Sequence, residues 1–171
     1  MMSFVVGFIL LVAALFAFGI VAENGNIRAA DAEFSDIANR VANSVLELFT
    51  VGATFQETFG TTDSGVEDDL RYTKTLDIPV EFRGYEYTIA MRHSFVYVNS
   101  TGGEVQVRAT TFKADVLLPS GSEVCDLNDH TICVLGGDVP AGSSRVTVTY
   151  QYRAPEVATP TEPEIHSITI S

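Results

Sequence analysis

The sequence predicts an α+β chain in which one long N-terminal α-helix precedes an all-β head of meander or sandwich type. Phe4 to Ala22 is an unbroken apolar run, apolar residues then recur at steps of three or four as far as Leu48, and beyond residue 70 the period falls to two. With 171 residues the chain has room for a long helix and one head of ordinary size rather than two independent cores. The expected organisation is a transmembrane or assembly helix over 1–51, a linker over 52–69 and a head over 70–171 that includes a proline-rich stretch at 154–164.

The apolar run contains no charge and no proline, and only Gly7 and Gly19 lower its helix propensity. Nineteen residues at 1.5 Å each cover roughly 28 Å, the thickness of a bilayer's hydrocarbon core. A cleavable secretory signal would begin with lysine or arginine and carry a shorter apolar core, whereas only Met1, Met2 and Ser3 precede this one. The segment is therefore expected to be retained.

The residues that follow separate an assembly helix from a plain anchor. Ile27, Ala30, Phe34, Ile37, Val41, Val45 and Leu48 form one stripe of a continuing helix, while Glu23, Arg28, Asp31, Glu33, Asp36, Arg40 and Glu47 mostly take the other faces. Asn24, Gly25 and Asn26 are poor helix formers, so a kink or melted turn is expected there; two separate helices are the alternative. Gly52 to Asp69, rich in Gly, Thr, Asp and Ser, reads as linker.

In the head, Tyr85, Tyr87, Ile89 and Met91 alternate with polar residues, as do Val105 and Val107, and Val146, Val148 and Tyr150. Turns are expected at Ser100 to Gly103, Pro119 to Glu123 and Gly136 to Ser144. Val116, Leu117 and Leu118 read as a strand continuation, Pro155, Pro160 and Pro163 as an extended segment, and Ile165 to Ile170 as a last strand.

Cys125 and Cys133 enclose a seven-residue segment and suit a disulfide across a hairpin, worth about 2 kcal/mol for so short a loop. A redox pair or metal site is the alternative, but two thiols beside His130 lack the paired spacing of zinc ligands. Asp126, Asn128 and Asp129 hint at a calcium loop without its terminal glutamate. Asn99, Ser100 and Thr101 form an N-glycosylation sequon on an expected turn.

Catalytic residues are not expected. His93, His130 and His166 stand in no arrangement with a nucleophile and an orienting acid, and the chain carries neither a phosphate-cradling loop nor a nucleophile elbow. No metal and no cofactor is expected. The formal charge of −12 lies beyond the apolar run, on the exposed part, which argues against a basic nucleic-acid surface.

An apolar start from Met2 to Leu15, continued from Ala22 to Thr50 by an amphipathic helix and then by an acidic all-β domain, resembles the mature form of an archaeal type IV pilin, a family that includes the archaellins. No glutamate stands near position 5, which is similar to archaeal rather than bacterial members. The resemblance implies a lollipop fold with an immunoglobulin-like β-sandwich head. It implies a homopolymer held by bundled N-terminal helices, with Phe4, Phe8, Leu11, Leu15, Phe18, Phe34, Ile37, Val41, Val45 and Leu48 as the filament-core stripe. It further implies insertion in the membrane before assembly, an extracellular filament serving adhesion or surface attachment, and contact with an S-layer or surface receptors. The family's leader peptidase would account for the absence of N-terminal lysines.

On that reading, lipid covers the apolar half before assembly and neighbouring helices cover it afterwards, so it avoids water in both states. Gly7, Ala13, Ala14, Ala17 and Gly19 would allow close helix approach. The alternatives are an anchored β-sandwich that binds an envelope layer, similar to archaellum stator components, a minor pilin, and a membrane-tethered hydrolase.

Overall fold

The computed structural model describes residues 2–59, 70–92, 94–111, 123–124, 131–153 and 164–171. A long N-terminal helix leads into a β head, as expected. Helix α1 runs from Met2 to Phe59 without a break, roughly 85 Å at the usual rise per residue. Asn24, Gly25 and Asn26 are helical rather than melted, and the helix ends at Phe59 rather than at residue 51.

The longer helix has a packing reason at Gly52, which is buried. A Cβ at that position would collide with the ring of Tyr150, so the glycine that looks like a helix terminator in sequence is the notch that lets α1 lie close to the head.

Nine strands follow: β1 (Leu70–Asp77), β2 (Glu81–Phe82), β3 (Tyr85–Arg92), β4 (Phe95–Ser100), β5 (Gln106–Thr110), β6 (Glu123–Val124), β7 (Thr131–Val139), β8 (Arg145–Arg153) and β9 (Glu164–Ile170). They join in one sheet of order β1-β8-β9-β7-β3-β4-β5, with β2 added to β3 and β6 to β7. The layer packed against this sheet is the helix: α1 touches β1 and β8 at one end of the order and β4 and β5 at the other.

The core lies between helix and sheet. Ala30, Phe34, Ile37, Ala38, Val41, Ala42, Val45 and Leu48 form the buried stripe of α1. Against it stand the inward residues of the strands: Tyr87, Ile89 and Met91, then Val96 and Val98, then Val146, Val148 and Tyr150, with Ile168 and Ile170 from β9. The Phe34 and Tyr87 rings meet at 4.9 Å between centroids, tilted by 52°.

The sheet is mixed. β9 pairs parallel with β7 and antiparallel with β8, and thereby separates two strands that are consecutive in the chain. Gly137 stands in β7 with φ of 127°, opposite Ile170 and Met91, and a side chain there would strike the Ile170 backbone. Gly136 and Gly137 thus belong to a strand rather than to the expected turn, which is reduced to the segment between Val139 and Arg145. Val116 to Leu118 and most of the proline-rich stretch lie outside the described residues.

Candidate membrane and assembly surface

The stripe expected along α1 divides into two groups in the structure. Phe34, Ile37, Val41 and Val45 are fully buried against the sheet and Leu48 nearly so. These five are core residues of the head and present no free surface to another helix, which corrects their expected place in the filament core. Phe8, Leu11, Leu15 and Phe18 are 58–74% exposed, as befits side chains on a helix with no neighbour. The side chain of Phe4 lies outside the described residues.

The exposed group belongs to a larger surface. Val5, Val6, Ile9, Leu10, Phe16, Ile20 and Val21 are also more than half exposed, on all sides of the helix. The most apolar window of this helix has a mean hydropathy of 2.9 with none of it buried, and it is long and apolar enough to cross a membrane. Leaving these side chains in water would cost on the order of 15 kcal/mol, comparable to the whole stability of a typical domain. A helix apolar around its full circumference has one physical use, which is to be surrounded by lipid or by other apolar helices.

The boundary of this surface is sharp. Glu23, Asn24, Gly25 and Asn26 are exposed and polar or small, Ile27 is half-buried, and Ala30 is fully buried one turn later. At this boundary the tight β2–β3 turn reaches α1: Arg83 Nη1 donates to Asn26 Oδ1 at 2.9 Å. Further along, Lys74 of β1 pairs with Glu47 at 2.5 Å, and Arg40 Nη2 donates to the Asp77 carbonyl at 3.1 Å. Sequence inspection missed the Arg83 contact because Arg-Gly lacks the Asn-Gly signature of such turns.

Asn99 stands within β4, opposite Thr88 and Gln106, rather than on a turn. It is half-buried, and its Oδ1 has no hydrogen-bond partner among the described residues. The Thr101 hydroxyl of the same sequon donates to the Glu86 carbonyl at 3.1 Å. Cys125, His130, His93 and the acidic loop Asp126 to Asp129 lie outside the described residues, as does the Cys133 side chain, and with them the expected disulfide. Among the described residues no three His, Cys, Asp or Glu side chains converge as a metal site.

Tyr87 is the one described titratable group displaced clearly from its ordinary value. Burial, reinforced by the Glu33 carboxylate and opposed by Arg40, pushes its phenol up to about 12. Its hydroxyl donates to the Pro79 carbonyl, which places it in the structural joint between helix and sheet.

No protein-family model, no curated protein and no solved structure matches this chain.

Proposed function

We propose that this chain is the structural subunit of an extracellular type IV pilus-like filament of the archaeal kind, used for adhesion or surface attachment and polymerised through its N-terminal helix. The observation that carries the reading is the bare apolar half of α1, continuous with a second half that is the spine of the head. A rigid rod of this kind transmits the position of one helix directly to its head. Stacking the apolar halves side by side would cover them and array the acidic heads outside. The membrane is the reservoir from which subunits are drawn, and Phe8, Leu11, Leu15 and Phe18 make the interhelical contacts.

The immunoglobulin-like sandwich belongs to this proposal too. Its support is that strands from both ends of the sheet order reach the same helix, so the sheet folds around α1. No catalytic role, cofactor or nucleic-acid partner is assigned. The head surface is the part available to an S-layer or a surface receptor.

A single membrane-crossing helix equally suits an anchored envelope-binding module, the second reading. Electron microscopy of sheared cell-surface material, with mass spectrometry of the chain's N-terminus in that fraction, separates the two. Filaments containing this chain are expected. Recovery only from membranes, as a non-polymeric species, would replace the filament with the anchored module.

A further inference from the structure

We infer that Arg83 and Asn26 form a clasp that holds a weak point of α1 helical and so fixes the head to the apolar half at one angle. The inference stands apart from the filament reading, because it concerns the joint within one subunit.

Asn24, Gly25 and Asn26 are three consecutive residues of low helix propensity. All three are exposed, and the space beside Gly25 is empty within 4 Å. Packing that begins at Ile27 and is complete at Ala30 does not reach them. On the other side, the apolar half has no protein neighbour. In a helix so composed, backbone hydrogen bonds at residues 24–26 are the first to open when the two halves move relative to each other.

The head sends one side chain to this point. Phe82 and Tyr85 pair across a two-residue turn whose central residues, Arg83 and Gly84, have φ of 51° and 81°. Positive φ at both positions is the geometry of the tight hairpin turn that matches strand twist, in which asparagine or glycine is the unstrained choice at the first position. Arginine stands there instead, in a backbone conformation that disfavours its Cβ. From it the guanidinium lies 5.7 Å from the centre of the Phe82 ring and donates to Asn26 Oδ1 at 2.9 Å. The strained residue is thus the one that reaches the weak point of the helix.

Freed from the clasp, the helix has no described tertiary contact before Ile27, and residues 24–26 become a hinge. With the clasp closed, the head and the apolar half turn together.

The test is amide hydrogen exchange of the full chain in detergent micelles. Arg83→Ala is expected to speed exchange at residues 24–28 by about threefold, the scale of one exposed hydrogen bond, and to leave Val41 and Val45 unchanged. Arg83→Gly relieves the positive-φ strain while removing the side chain. It is expected to give the same local acceleration with an unchanged or raised thermal midpoint, an outcome that a merely structural arginine would not produce. Arg83→Lys, which keeps a donor, should restore part of the protection. Unchanged exchange at residues 24–28 in both Arg83→Ala and Arg83→Gly, or equal acceleration at Val41 and Val45, would overturn the clasp.

Discussion

The Tyr150 ring occupies the space that a side chain at residue 52 would need, so helix α1 and strand β8 approach one another only because Gly52 has no Cβ. Phe49, one turn earlier, meets the same ring edge-on at 6.4 Å, and Tyr72 of β1 lies 6.3 Å from it on another side. The place where α1 passes β8 is therefore an aromatic cluster built around a glycine.

This contact decides the sign of a substitution. In an open helix Gly52→Ala would stabilise by roughly 1 kcal/mol. Here the methyl group meets a buried ring that cannot move aside without disturbing its neighbours, and the expected result is a loss of about 1–3 kcal/mol. Denaturant unfolding of the detergent-solubilised chain, followed by tyrosine fluorescence, measures it. A gain in stability would show that the ring yields.

The two halves of α1 should respond oppositely to truncation. Phe34→Ala removes a fully buried ring packed on Tyr87 and should cost about 3–5 kcal/mol of head stability. Phe18→Ala, at 74% exposure, should leave head stability within about 0.5 kcal/mol of the parent. Thermal unfolding of the two variants in the same detergent makes the comparison.

Charge in the apolar half tests assembly separately from folding. Phe8→Asp or Leu11→Asp buries a carboxylate wherever the helix is covered, by lipid or by protein, at a cost near 3 kcal/mol per subunit. Filaments are expected to disappear while circular dichroism of the head is retained. Normal filaments from either variant would remove the N-terminal helix from the filament core.

Tyr87 predicts an alkaline instability. Its folded pKa is raised to about 12 from an ordinary 10, so below pH 10 both states keep the proton and stability does not depend on it. Between pH 10 and about 12 the unfolded phenol ionises first, and stability should fall by up to about 1.4 kcal/mol per pH unit. Tyr87→Phe should flatten the slope across that window. Tyrosinate absorbance during an alkaline titration supplies the folded-state value directly.

Much of the helix was readable because burial follows its three-and-four spacing from Ala30 to Leu48. What the spacing does not reveal is the partner. A stripe that faces a sheet of its own chain and a stripe that faces another helix have the same period, so Phe34 to Leu48 read as filament core until the head was seen to cover them. β1 was harder to recognise. Its half-buried positions are Leu70, Tyr72, Lys74 and Leu76, and the lysine interrupts the apolar alternation because its amine is needed by Glu47. Gly52 and Gly137 carried the turn-like signal of any glycine, while their actual reason, a close approach by Tyr150 and by the Ile170 backbone, lies far away in sequence. The parallel pairing of β7 with β9 likewise leaves no mark on either strand alone.

The position of β9 has a consequence for the order of events in the living cell. This strand is the last of the nine in chain order and yet occupies the middle of the sheet, with β8 on one side and β7 on the other. While the chain is still being synthesised and exported, β1 can already zip onto β8, and β3 onto β4, but these two portions of the sheet have nothing to join them until residues 164–170 arrive. The head thus stays as two unconnected pieces until export is nearly finished. A ribosome that stops short of residue 164 leaves a molecule whose sheet never closes, and such a product is marked for proteolysis by its own unpaired strands.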